Sequence, residues 1–105
     1  MIFYSQLYIG ENVRHSKRIL HRLKKGIPQK DTYIITLAAG KDLLEIYDMK
    51  VLCQKQYRDF DRPVIGLASS YDEAVSLIIQ ITQECFAYKG DCDLKSYLLE
   101  RETKK

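Results

Sequence analysis

The sequence predicts a small α/β domain, with three strands in a mostly parallel sheet and helices packed on it. Two observations carry that expectation. Apolar runs of strand length alternate with segments whose apolar residues recur at three- and four-residue steps. The strand–helix unit also recurs about every 30 residues, the length of one β-α-β step. Leu37, Ala38 and Asp42 match Leu67, Ala68 and Asp72, and Ile34-Ile35 overlays Val64-Ile65. Leu7 and Gly10 stand in the same relation to Leu37 and Gly40, more faintly. At 105 residues the chain has the length of one domain.

The elements follow in order. Residues 3–9 read as a strand, rich in aromatic and β-branched residues but interrupted by Ser5 and Gln6, which suits an edge position. Residues 11–25 read as a helix, with Val13, Ser16, Leu20 and Leu23 on one stripe and Ile19 beside them. Lys24 and Lys25 sit at the negative end of its dipole, and Gly26 and Pro28 end it. Residues 33–38 form a near-continuous apolar strand, as found where both sheet faces are covered. Gly40 and Lys41 turn the chain, and Asp42 with Glu45 resembles a capping box opening a helix over 43–57. A third strand spans 63–68, with Pro63 at its tolerated first position. Ser70 and Glu73 form a second capping box, and Ala74, Leu77, Ile78, Ile81 and Cys85 give the following helix its core stripe. Gly90 ends that helix, and a short last one follows with Leu94, Tyr97 and Leu98 as its inner face. Strand one at an edge gives the orders 1-2-3 or 1-3-2; a 2-1-3 order is the rival.

Hydrophobic residues make up 46% and charged residues 30%, enough for a core and a solvated surface. A disordered tail, a collagen-like fibre and a disulfide miniprotein are excluded on that basis. No apolar run reaches the length needed to span a bilayer, so no membrane role is expected. The first residues carry no basic n-region, and Gln6 and Glu11 break any apolar stretch, so a secretory leader is not expected and a cytoplasmic location is. Cys53, Cys85 and Cys92 are an odd number without C-x-x-C spacing and read as reduced thiols; a local Cys85–Cys92 pair would need the chain to fold back.

Charge is segregated. Arg14, Lys17, Arg18, Arg22, Lys24, Lys25 and Lys30 follow one another without an acid, while the last third of the chain is acidic. Arg14, Arg18 and Arg22 form an i, i+4 row on the first helix. Clustered cations displace counterions from a nucleic acid, so these residues, with Lys17, Lys24 and Lys25, are the anion- or nucleic-acid-binding candidates. A solvated helix face is the plain alternative, since no helix-turn-helix or RNP signature accompanies them.

Other chemistry finds less support. Neither G-x-x-x-x-G-K-[ST] nor G-x-G-x-x-G is present. The turns at Gly40-Lys41 and Ser69-Ser70 remain as small-ligand candidates, because open α/β sheets bind ligands at the carboxyl ends of their strands. Asp42 and Asp72 would occupy the anion position there and cap the helices themselves. His15 and His21 are six apart on a helix, too far around it to share a metal, so no metal is expected. G-x-S-x-G is absent, no catalytic set emerges, and no cofactor is implied.

Gly26-Ile27-Pro28-Gln29, Tyr33-Ile34-Ile35-Thr36-Leu37-Ala38, Asp42-Leu43-Leu44-Glu45-Ile46, Val64-Ile65-Gly66-Leu67-Ala68 and Tyr71-Asp72-Glu73-Ala74 with Leu77-Ile78 resemble a family of small uncharacterised proteins from Gram-positive anaerobic bacteria. The resemblance runs from about residue 7 to residue 98. It implies a single intracellular domain and brings no activity, cofactor or site residue with it.

The expectation is therefore a small non-catalytic protein that binds a partner. A nucleic-acid-associated protein using the basic helix, and a small-ligand or nucleotide-binding half-domain using the two turns, are the alternatives. A homodimer is also expected. A three-stranded sheet leaves two edges open, residues 33–38 carry no charge to protect theirs, and a chain this short has a thin core.

Overall fold

The computed structural model describes residues 3–38, 44–54, 63–90, 94 and 96–98. Strand β1 (Phe3–Ile9) leads to helix α1 (Ser16–Lys24), then strand β2 (Tyr33–Leu37). Strand β3 (Leu44–Asp48), the one-turn helix α2 (Met49–Leu52), strand β4 (Val64–Ala68) and the long helix α3 (Tyr71–Lys89) complete the order. Leu94, Ser96, Tyr97 and Leu98 are helical as well.

The described strands form a mixed sheet in the order β1-β4-β2-β3. Only β1 and β4 run parallel; β2 is antiparallel to both of its neighbours. The expectation of three strands in a mostly parallel sheet is thereby overturned. The cause lies in residues 38–43. They join Leu37 to Leu44, which face each other across the β2–β3 ladder. A parallel return needs a dozen or more residues, whereas a hairpin needs only a few. The expected helix over 43–57 fails for the same reason. Leu44 and Ile46 pack toward one sheet face while Tyr47 packs toward the other, the two-residue period of a strand. Glu45 stands opposite Thr36 in the ladder, and the proposed cap at Asp42 lies outside the described residues. Among the described residues of that segment, helix survives only as α2, where the Asp48 carboxylate accepts from the Lys50 N–H at 2.9 Å. The 30-residue repeat also loses its structural meaning, since β2 runs against β4 and is followed by a hairpin.

Helices cover both sheet faces. On one, α3 presents Ala74, Leu77, Ile81 and Cys85 to Tyr4, Tyr8, Ile35, Leu37 and Ile65, and Leu94 and Leu98 join them. On the other, Ile19 and Leu23 of α1 pack with Met49 and Leu52 of α2 over Ile34, Val64 and Leu67. Tyrosine hydroxyls tie β1 to the first layer. Tyr4 donates to the Leu98 carbonyl at 2.8 Å, and Tyr8 donates to the Glu84 carboxylate at 2.8 Å. Every residue of β4 is buried. It carries a bulge: Thr36 faces Val64 and Ile35 faces Gly66, so Ile65 is the extra residue. The bulge shifts the phase, placing Val64 and Leu67 on one face and Ile65 and Ala68 on the other.

Gly66 sets the spacing between β1 and β4. A Cβ there would lie 2.7 Å from the Tyr8 carbonyl oxygen, and that oxygen belongs to backbone that cannot rotate away. Gly66→Ala is expected to lower stability by about 1–3 kcal/mol, the range for overpacking a core. Urea denaturation checks it, and an unchanged midpoint would show that the two strands are not held this closely.

Candidate functional site

Two features stand out: a crevice at the ends of β1 and β4, and the outer face of α1.

The crevice follows from topology. β1 and β4 are parallel neighbours. The chain leaving β1 builds α1 on one face of the sheet, and the chain leaving β4 builds α3 on the other. Loops that diverge in this way leave a gap outside the carboxyl ends of the strands. Here the gap is a cleft of about 440 Å³ between Gly10, Glu11 and Asn12 on one side and the first turns of α3 on the other.

Glu73 spans that gap. Its carboxylate accepts from the Ser69 N–H at 2.7 Å, the Ser69 hydroxyl at 3.0 Å and the Asn12 N–H at 2.9 Å. The Glu73 N–H donates to the Ser70 hydroxyl at 3.1 Å, completing the Ser70 cap of α3. A cap expected to be local thus also clamps the loop after β1. Gly10 makes room for it, because a Cβ at that position would overlap the Glu73 carboxylate. Burial pushes the Glu73 carboxyl up, but the donors from Ser69 and Asn12 outweigh burial and hold it below its ordinary range.

The chemistry of the crevice is correspondingly narrow. Glu73, with Glu11 and Asp72 on the rim, makes it acidic, and among the described residues no histidine, cysteine, lysine or arginine lines it. Glu73, rather than Asp72, takes the place where a ligand anion would meet backbone N–H groups. Both serine hydroxyls are engaged by Glu73: Ser69 donates to its carboxylate and Ser70 accepts from its backbone N–H. The second candidate turn, at Gly40 and Lys41, lies outside the described residues.

Helix α1 is different in kind. Ile19 and Leu23 are its buried residues. At about 100° per residue, Lys17, Arg18, His21, Lys24 and Lys25 fall within an arc of about 120°, centred opposite those two. All five are exposed, as are Arg14 before the helix and Lys30 after it. Among the described residues, Arg14, Lys17, Arg18, Lys25 and Lys30 form no ion pair, and Lys24 lies over the Phe3 ring at 5.1 Å. Backbone bonds from Gly26 and Ile27 to the Leu23 and Arg22 carbonyls close the helix.

The structure divides the expected Arg14–Arg18–Arg22 row. Arg14 precedes the helix, Arg18 is exposed on it, and Arg22 turns inward. Arg22 donates to the Pro28 carbonyl at 2.9 Å, and its buried Nε has no partner. It also lies near Cys53, where burial pushes the thiol up and the Arg22 charge only partly opposes it. Cys53 is therefore held as a thiol, not activated as a nucleophile. His21, passed over in the sequence as one of a pair too far apart for a metal, belongs to the exposed arc by its spacing of four from Lys17. Among the described residues no group of three or more metal-ligating side chains forms, and no helix is long and apolar enough to cross a membrane.

Compared with known proteins, the chain matches no family model, no curated protein and no solved structure.

Glu73→Gln is expected to lower stability at pH 7 by about 1–2 kcal/mol, as for loss of charge-assisted hydrogen bonds. The folded-state pKa is depressed, so this stabilisation is present above the ordinary carboxyl pKa of about 4.3 and is lost as pH falls through the lower folded value. The gap between parent and variant should close in melting curves recorded over that acidic window. Gly10→Ala should weaken the same clamp, and the double variant should lose less than the two single losses added together.

Proposed function

We propose that this is a non-catalytic, cytoplasmic binding protein whose partner is an anionic polymer, nucleic acid in the first instance, engaged through the outer face of α1. The observation that carries the reading is the arc of Lys17, Arg18, His21, Lys24 and Lys25 opposite the buried stripe, flanked by Arg14 and Lys30.

Two further features support it. Residues 12–30 hold seven bases and no acid, whereas the rest of the chain carries ten bases against fourteen acids. The positive charge is therefore concentrated on one element of a chain that is otherwise net acidic, which orients the protein toward a polyanion. The helix also carries these charges at some cost to itself. Its N-cap, His15, has a left-handed backbone and makes no side-chain cap, and no acid lies in the first turn. Cations near a helix N-terminus oppose the dipole by about 0.3–1 kcal/mol each. Arg14 and Lys17 do nothing for the stability of α1, in contrast to Lys24 and Lys25 at its far end.

With four to six phosphates neutralised, the logarithm of the binding constant for duplex DNA should fall against the logarithm of salt with a slope of about −4 to −5. Fluorescence anisotropy with a labelled mixed-sequence duplex, begun at about 50 mM salt, measures it. Replacing Lys17, Lys24 and Lys25 by Ala should reduce the slope by about 2–3. Arg22→Ala should leave the slope unchanged and lower the melting temperature. No binding at the lowest salt, for duplex or single strand, rejects the reading.

A further inference from the structure

Helix α3 carries two apolar stripes, and the second touches the sheet at its first residue, where the Tyr71 ring meets Tyr33 of β2 edge-on at 6.2 Å. Ala74, Leu77, Ile81 and Cys85 are buried. About a third of a turn around the helix, Tyr71, Ile79 and Phe86 are 57%, 52% and 59% exposed, with Val75 and Thr82 between them. An apolar surface that monomers rarely leave open marks an interaction face.

We propose that this stripe pairs with the same stripe of a second copy, the two α3 helices lying antiparallel about a two-fold axis between Ile78 and Ile79. Three observations select a second copy over another partner. The first is symmetry. Tyr71 and Phe86 lie equally far from the Ile78–Ile79 midpoint, and so do Val75 and Thr82. Two-fold pairing requires that residue i meet j while j meets i. The antiparallel arrangement sets Tyr71 against Phe86, Val75 against Thr82 and Ile78 against Ile79, with the reciprocal contacts alongside. The second is charge. Residues 75–83 contain no charged side chain, so the centre of the pair brings no like charges together. The third is the distribution at the ends. Asp72 lies in the first turn and Lys89 in the last, so antiparallel pairing sets the Asp72 end of one copy toward the Lys89 end of the other. The three large side chains offer roughly 300 Å² of apolar surface per copy. That is below the ~800 Å² per partner of a standard interface, and it points to a reversible dimer. This surface replaces the open sheet edges from which the sequence predicted a dimer. It does not depend on the nucleic-acid reading, because α1 lies on the opposite face of the sheet.

Sedimentation equilibrium over about a hundredfold range of concentration, reaching the high micromolar, tests the pairing. The parent chain should approach the mass of two copies. Ile79→Glu and Phe86→Glu should hold the mass of one copy throughout while melting as the parent does, since both positions are exposed. Ile79→Cys should form a disulfide between copies under mild oxidation, above the background of the parent's own thiols. A parent of single-chain mass at every concentration overturns the proposal. So does a dimer that survives both glutamates, or an Ile79→Cys chain that cross-links no more than the parent.

Discussion

Close approach of β1 to β4 at Gly66 is the constraint on which the remaining architecture depends. The Tyr8 carbonyl comes so near that no side chain fits between the strands. With β1 seated there and β2 on its other edge, β4 has all five residues buried. Its bulge at Ile65 then decides which residue serves which face. Val64 and Leu67 become the floor under α1 and α2, and Ile65 and Ala68 the floor under α3. A strand without the bulge would send Leu67 toward α3 and leave α1 without part of its seat.

Because the parallel pair sends its two helices to opposite faces, the molecule has two unlike outer surfaces. One is the basic arc of α1; the other is the uncharged stripe of α3. Between them, at the ends of the paired strands, Glu73 bridges the diverging loops. The position at which a sheet of this kind would offer a ligand site is thus used here as a clamp. Gly10 and Glu73 are complementary in shape, and the clamp links the loop that precedes α1 to the first turn of α3. The two proposed binding surfaces lie instead on the outer faces of α1 and α3.

Much of this was legible in the sequence, and the failures share a cause. β1, β2, β4 and α3 lie close to where apolar runs and helical spacing place them, because burial dictates those patterns directly. The Ser70–Glu73 capping box was readable, although its reach to Asn12 was not, since nothing local specifies a partner 61 residues away. The segment around Leu44 misled because Asp42 and Glu45 imitate a helix start. Alternation of Leu44, Glu45 and Ile46 was the opposing signal, and the short span from Leu37 to Leu44 decides in its favour. Strand direction followed that error, as a hairpin reverses the chain where a helix would have restored its heading. The basic cluster was visible as composition. Its division into an outward arc and an inward Arg22 required knowing that Ile19 and Leu23, not Val13 and Ser16, define the buried side of α1.

Native-state hydrogen exchange tests the placement of β4 most directly. If β4 is the central strand, bonded on both edges and covered on both faces, the amides of Gly66 and Leu67 exchange only when the whole domain unfolds. Their opening free energy should then equal the unfolding free energy from denaturant titration, while amides at the N-terminal end of α1 exchange through smaller openings. Exchange of the β4 amides as fast as those of α1, at a free energy well below that of global unfolding, would contradict the account.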